Sequence, residues 1–277
     1  MRTPESRLAF LASSRAGMVI VAALGWQSAA TADESEAELA QQLANPVSAL
    51  ISVPFQLNYN SNIGPADDGE QWLLNAQPVI PFSLNKDWNL ISRTILPLVH
   101  QSDVFPGAGN QTGLGDTVQT LFFSPKAPAA GGWIWGAGPV FLVPTGTDDL
   151  LTTDKWGAGP SAVLLRQTGP WTTGMLGNHI WSYAGDSNRR DVSSSLLQPF
   201  VSYTTPGAWT FGLQTESTYD WEGNGWQIPI RGTFSKLTRV GTQLVSLGGG
   251  VHYWVESTPT GPEGWGLRLT MTLLFPR

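Results

Sequence analysis

The stretch from Gly264 to Phe275 constrains this chain more than any other. It places Trp265, Leu267, Leu269, Met271, Leu273 and Phe275 at every second position, with Arg268, Thr270 and Thr272 between them. Period-two alternation sets the first group on one face of a pleated strand and the second on the other. A soluble sandwich would bury the apolar face, whereas a transmembrane barrel would turn it to lipid, and about 9–11 tilted residues suffice to span. The stretch fits either, so the choice falls to the rest of the chain.

Of 277 residues, 31 are glycine, 20 proline and 13 tryptophan, and only 13% are charged. That mixture, with no long apolar run, favours many short strands and turns in one large domain. Cysteine is absent, which removes disulfide frameworks and thiolate metal sites. Arg2, Arg7 and Arg15 precede an apolar core from Gly17 to Gly25, and Ala30-Thr31-Ala32 precedes Asp33-Glu34. This is the pattern of a secretory signal peptide over residues 1–32, cleaved after Ala32. Its core is shorter than the roughly 20 residues of a spanning helix, and nothing later approaches that length. Removing it takes three Arg and one Glu from the 15 basic and 21 acidic residues, leaving a net charge of −8. A chain this acidic has no use for nucleic acid.

Residues 33–50 differ from everything after them. Leu39, Leu43 and Val47 recur at helical spacing and Pro46 limits the run, so a short amphipathic helix is expected. It packs either on the periplasmic rim of a barrel, the favoured reading, or inside its lumen as a plug. From Ile51 to the end, residues 51–277, the pattern is all-β. Candidate strands cover about 51–60, 71–83, 88–100, 113–123, 133–144, 155–166, 171–184, 192–204, 208–220, 226–235, 240–254 and 264–275. Five connections are short: Leu84–Asp87, Ser124–Gly132, Gln167–Pro170, Thr205–Gly207 and Lys236–Arg239. The others are mostly longer and rich in Asp, Glu, Asn and Gly. Tight turns alternating with polar loops are the habit of an up-and-down transmembrane barrel of about twelve antiparallel strands, not of a Greek-key sandwich.

Tryptophans agree. Trp72, Trp88, Trp133, Trp156, Trp171, Trp209, Trp226 and Trp265 begin candidate strands, while Trp181, Trp221 and Trp254 lie near strand ends. Two belts at the lipid–water interfaces follow. Prolines argue the other way: Pro54, Pro78, Pro81, Pro97, Pro139, Pro160, Pro199 and Pro229 fall inside strands and lack a ladder donor. In a barrel they require bulges, kinks or breaks. Trp135-Gly136-Ala137-Gly138-Pro139 recurs as Trp156-Gly157-Ala158-Gly159-Pro160. These small residues leave space for a constriction or a ligand, and neither copy is a phosphate loop, since no Lys-Ser/Thr pair or helix follows.

With these stretches in view, the chain resembles the bacterial outer-membrane barrels filed as transporters of the phenol meta-pathway degradation type, some of which carry the label neuromedin U. The likeness rests on Asn45-Pro46-Val47, Ile51-Ser52-Val53-Pro54-Phe55-Gln56, Pro78-Val79-Ile80-Pro81, Trp88-Asn89-Leu90-Ile91-Ser92-Arg93 and Gly113-Leu114-Gly115-Asp116. Phe122-Phe123-Ser124-Pro125-Lys126, both Trp-Gly-Ala-Gly-Pro copies, Glu216-Ser217-Thr218-Tyr219-Asp220-Trp221 and Gly261-Pro262-Glu263-Gly264-Trp265-Gly266 extend it. The resemblance implies an outer-membrane barrel with a transport role and favours a hydrophobic or aromatic solute. It supplies no catalytic residues. Such barrels commonly end on an aromatic, and here Pro276 and Arg277 follow Phe275.

If the apolar faces meet lipid, the lumen receives the charges. Glu216, Arg231 and Arg268 then converge on one wall, with Arg93 and His252 as further lumen or constriction candidates and Arg166 a weaker one. A loop centred between Gly223 and Asn224 sets Glu216 opposite Arg231. Either arginine turned to lipid at mid-depth would be destabilising by about 2–4 kcal/mol. These charges fill a narrow lumen as a structural network or form a selectivity constriction. A lipid-modifying barrel enzyme would draw its base from His100, His179 or His252, but no nucleophile signature accompanies them. Acidic pairs such as Asp67-Asp68 and Asp148-Asp149 read as solvated loops, and no metal or cofactor motif is present. The expectation is a channel for small solutes, not an enzyme, in the bacterial outer membrane. Its partners would be outer-membrane lipid and lipopolysaccharide, the barrel-assembly machinery and a small-molecule solute. The alternative is a structural or surface-binding barrel with a plugged lumen.

Overall fold

A computed structural model describes residues 36–275. The expected signal peptide, residues 33–35 and the final Pro276 and Arg277 lie outside the described residues. After a helix over residues 36–43, the chain is strand throughout: β1 (Ile51–Ile63), β2 (Gly69–Ala76), β3 (Val79–Ser83), β4 (Trp88–Ser102), β5 (Asn110–Leu114), β6 (Thr117–Pro125), β7 (Trp133–Val143), β8 (Lys155–Thr168), β9 (Trp171–Gly185), β10 (Ser193–Thr204), β11 (Trp209–Thr215), β12 (Ser217–Asp220), β13 (Gly225–Val240), β14 (Gln243–Glu256) and β15 (Gly264–Phe275). β2 with β3, β5 with β6, and β11 with β12 are each one interrupted strand. The result is twelve antiparallel strands, each paired to the next. β15 returns to β1 in register from Ile51↔Phe275 to Tyr59↔Leu267, so the barrel is closed. Closure leaves no edge to hydrogen-bond in a medium without water.

The faces sort as the alternation requires. On β15, Trp265, Leu267, Leu269 and Met271 point outward and are exposed, while Arg268 is 4% exposed and Leu274 1%. Exposed tryptophans collect at both ends: Trp133, Trp171 and Trp209 beside the short turns, and Trp72, Trp156, Trp181, Trp221, Trp226 and Trp265 toward the long loops. Trp254 is an exception to the expected belts. It shares its parity with buried His252 and faces inward. No helix among the described residues is long and apolar enough to cross a membrane.

One turn lies later than expected. β13 runs through Lys236–Arg239 and turns only at Gly241, whose φ of +62° is in the left-handed region that suits glycine. The extension brings Leu237 inward beneath the N-terminal helix, at 1% exposure.

The prolines are accommodated by local interruptions of the pairing that leave the barrel closed. Pro78 falls in the break between β2 and β3, Pro229 at a bulge beside Ile228, and Pro97 beside the break between β5 and β6. Pro139 and Pro160 sit directly opposite each other. On their other sides the β6–β7 and β8–β9 ladders skip two pairs and resume in the same register. Of the expected bulges, kinks or breaks, these are breaks in the pairing, with the register kept. Within them the neighbouring backbone closes in. A Cβ on Gly138 would lie 1.9 Å from the Leu121 carbonyl oxygen, and one on Gly159 would lie 1.8 Å from that of His179. The repeated Gly-Pro thus admits a neighbouring carbonyl, so at these two glycines the space is filled by backbone rather than left for a ligand.

Leu269→Arg, which puts a cation on the outer face, should lower unfolding free energy from lipid vesicles by about 2–4 kcal/mol. Thr270→Ala, one position along and facing inward, should change it by less than about 1 kcal/mol.

Candidate functional site: a charged layer across the lumen

Midway along the interior, side chains from the interrupted strand β11–β12 and from β13, β15 and β1 meet. Arg268 and Glu216 form a two-point pair, Nη1 to Oε1 at 3.0 Å and Nη2 to Oε2 at 3.1 Å, and Arg268 Nε donates to Asn58 Oδ1 at 2.6 Å. Arg231 Nη1 stands 2.9 Å from Glu216 Oε2, and Gln214 Nε2 donates to Glu216 Oε1. One carboxylate therefore serves two guanidinium groups, both almost completely buried. Forked, charge-assisted contacts of this kind hold their geometry better than a lysine could.

The position of Glu216 follows from two prolines. The β10 ladder pairs Phe200 with Gln214 and Leu197 with Ser217 but skips the residues between, where Pro199 has no N–H to give. Across β13, Thr215 pairs with Ile230 and Thr218 with Gln227, and the skipped pair would have set Glu216 against Pro229. Glu216 thus occupies a strand position unlatched on both sides. The expected Glu216–Arg231 cross-strand register is corrected, since Arg231 lies opposite Gln214. The loop is Trp221–Asn224, centred one residue earlier than expected, and shifts the pairing by two. A two-residue shift preserves the face, and the diagonal neighbour remains within reach of long side chains.

Polar groups line the rest of the layer. His252 Nε2 contacts Asn60 Oδ1 at 2.9 Å, and Arg93 Nη2 donates to Gln77 Oε1 at 3.0 Å, which is itself tied to Gln56. Asn60, Gln71, Gln101 and Gln111 form an amide ladder across β1, β2, β4 and β5. No expectation singled out this ladder, whose members are flanked mostly by other polar residues, as in His100-Gln101-Ser102 and Asn110-Gln111-Thr112, and so carry no alternation signal. Glu216, Arg231, Arg268, Arg93 and His252 all face the interior. Arg166, His100 and His179 do not join them. Arg166 is exposed beside the short turns. His100 contacts Thr112 and His179 contacts Ser195 on the outer face. No cluster of metal-ligating side chains occurs among the described residues.

Cavities flank the layer. One of about 480 Å³ on the loop side is bounded by the amides, Arg231, Trp254 and the loop residues Val104, Phe105 and Leu150. Another of about 290 Å³ on the turn side is bounded by Arg93, Gln77, Gln56 and residues 40–48. Arg268 lines both. The turn-side mouth is occupied by the N-terminal segment. Ala40 and Leu50 pack with Ala208, Leu237, Leu244 and Leu274, and Val47 packs with Ile91, Phe122, Val163, Leu165 and Leu176. Gln41 exchanges hydrogen bonds with Gly169 and Gln167.

A closed twelve-stranded barrel with an apolar outside, an aromatic residue belt at each end and a polar, partly filled interior defines a bacterial outer-membrane β-barrel. Among solved structures, the chain is similar to the COG4313 outer membrane channel of Pseudomonas putida F1, with a TM-score of 0.64 and 16% identity over 82% of this chain and 96% of that one. Less close are the KdgM porin in complex with oligogalacturonate (TM-score 0.48, 10% identity, 81% and 99% covered) and the Salmonella typhi outer membrane phospholipase dimer (0.46, 12%, 84% and 94%). At these identities the likeness is one of fold. No family model and no curated protein matches the chain.

Two outcomes are expected. Glu216→Ala strands two buried guanidinium groups and should destabilise the barrel in detergent unfolding by about 3 kcal/mol, the low end for breaking a buried pair because Glu216 keeps access to the lumen. In the loop after β9, hydrogen bonds from Lys155 and Ser182 hold the Asp191 carboxyl below its usual range. The contact therefore contributes fully above about pH 4, the ordinary carboxylate value, and is lost as pH falls through the depressed one. Amide exchange over residues 186–192 should be slow from about pH 7 to 4 and accelerate below, relative to the intrinsic rate, whereas Asp191→Asn should be fast throughout.

Proposed function

We propose that the protein is a passive channel for small solutes, hydrophobic or aromatic ones included, with the Glu216–Arg231–Arg268 layer as its constriction and residues 36–50 narrowing the periplasmic mouth. The observation that carries this reading is the pair of cavities on either side of one charged layer, with Arg268 bordering both. A solute leaving one cavity meets the guanidinium groups before reaching the next, which is how side-chain rings govern permeation at close quarters. The assignment of the short turns to the periplasm follows the general habit of such barrels. Glu216 is the one carboxylate lining either cavity, and the histidines that could supply a base lie outside the layer or, in the case of His252, are held by Asn60. This supports transport over catalysis.

Reconstitution in planar lipid bilayers tests it. Steady single-channel openings are expected, and removal of residues 36–48 should raise conductance about two- to fivefold, because the segment occupies the narrow mouth. An inserted barrel that never opens, with or without the segment, would replace the channel by a sealed structural or surface-binding barrel.

A further inference from the structure

The charge of the layer is unbalanced, and the unsatisfied buried side-chain atoms of the residues lining its loop-side cavity are all donors, while His252 Nδ1, also unsatisfied among the described residues, belongs to a residue that does not line it. Arg231 and Arg268 are 3% and 4% exposed, and the single Glu216 carboxylate lies between them. Arg231 Nε is buried without an acceptor among the described residues, and its Nη1 contact with Glu216 is an ion pair lacking hydrogen-bond alignment. On the next strand, opposite Pro229, the indole Nε1 of Trp254 is likewise buried without an acceptor. Guanidinium and indole nitrogens only donate, so nothing but an acceptor can satisfy them. Both side chains border the loop-side cavity of about 480 Å³, within the usual size range of small-ligand sites. The amides Asn60, Gln71 and Gln101 on the facing wall are engaged with one another. The roof is apolar: Val104, Phe105 and Leu150.

We infer that this cavity is a seat for small amphipathic monocarboxylates, the anionic head received by Arg231, Arg268 and Trp254 and the apolar end by Val104, Phe105 and Leu150. Two guanidinium groups against one carboxylate leave a single positive charge, which one monoanion neutralises. A phosphate dianion would overcompensate it and would find no partner in the roof. A solute without an acceptor would leave the buried donors unsatisfied, and a neutral amide, whose one carbonyl oxygen can accept, would still leave the positive charge uncompensated, so both are disfavoured against a carboxylate. Arg93, lower in the lumen, adds a further positive charge along the exit path. The inference rests on the channel reading for its consequence, anion-selective passage, and on the cavity alone for the binding.

The test uses the reconstituted protein with hexanoate as probe, hexanamide as its neutral counterpart and inorganic phosphate as the alternative anion. Under a potassium chloride gradient the zero-current potential should report preference for chloride. Hexanoate on the loop side should block chloride current, Arg231→Gln should weaken that block about tenfold, and Arg231→Lys should keep the ion preference while still weakening the block. Cation preference, or equal block by hexanamide or phosphate, overturns the inference and leaves the channel standing. If the barrel conducts nothing, the channel reading fails instead. Calorimetric titration of hexanoate into detergent-solubilised protein then decides the seat, with saturable heat lost in Arg231→Gln supporting it and absence of heat rejecting it.

Discussion

Every backbone amide in the membrane-spanning wall must find its partner within the wall, because lipid offers none. This requirement orders the rest of the molecule. It is met by the return of β15 to β1, and it restricts where a residue without an N–H can stand. The prolines at 139 and 160 are placed face to face so that their deficient sides fall in gaps, and each gap is narrowed by a glycine that lets the next strand's carbonyl approach. Pro199 and Pro229 serve differently. They release the strand between them on both sides, and the residue released is Glu216.

The charged layer grows out of that local release. A carboxylate just past the end of β11 can take a two-point bond from Arg268 on one side and stand in ion-pair contact with Arg231 on the other because its own backbone is not latched tightly to either neighbour. Hydrogen bonds to the Oδ1 atoms of Asn58 and Asn60 and from Nε2 of Gln214 then fix the surrounding groups. The interior therefore combines a rigid polar wall, the amide ladder, with a wall of positive charge. Val104, Phe105 and Leu150 border the interior on the loop side, and the Val47 cluster packs against it on the turn side.

Much of this was legible in the residues. Alternation at Trp265–Phe275 gave the correct faces, connection lengths gave an even count of twelve strands, and the inward set of Glu216, Arg231 and Arg268 came from parity alone. Parity is robust because it tolerates the two-residue error made in pairing Glu216 with Arg231. Register is not, since the loop at Trp221–Asn224 offers two glycines and an asparagine nearby and no single centre. The turn after β13 is hard to place for a related reason: Lys236–Arg239 reads as polar turn, while the deciding residue is Gly241. Trp254 reads as a belt residue because indoles at strand ends usually sit there, whereas its parity with His252 turns it inward. The place of residues 36–50 depends on contacts with turns more than a hundred residues away, which no local pattern carries.

That last separation bears on how the molecule comes to exist. The N-terminal segment is synthesised before any strand, yet the side chains that receive it include Leu237, Leu244 and Leu274, the last of them one residue before the end of β15. Until those residues have arrived, Ala40 and Leu50 have no complete surface to rest against. The earliest part of the barrel-forming chain thus completes its contacts only with the latest, and its full docking becomes a timekeeper: Val47 finds its partners on β4 to β9, but Ala40 and Leu50 gain the last of theirs only when the final strand is in place.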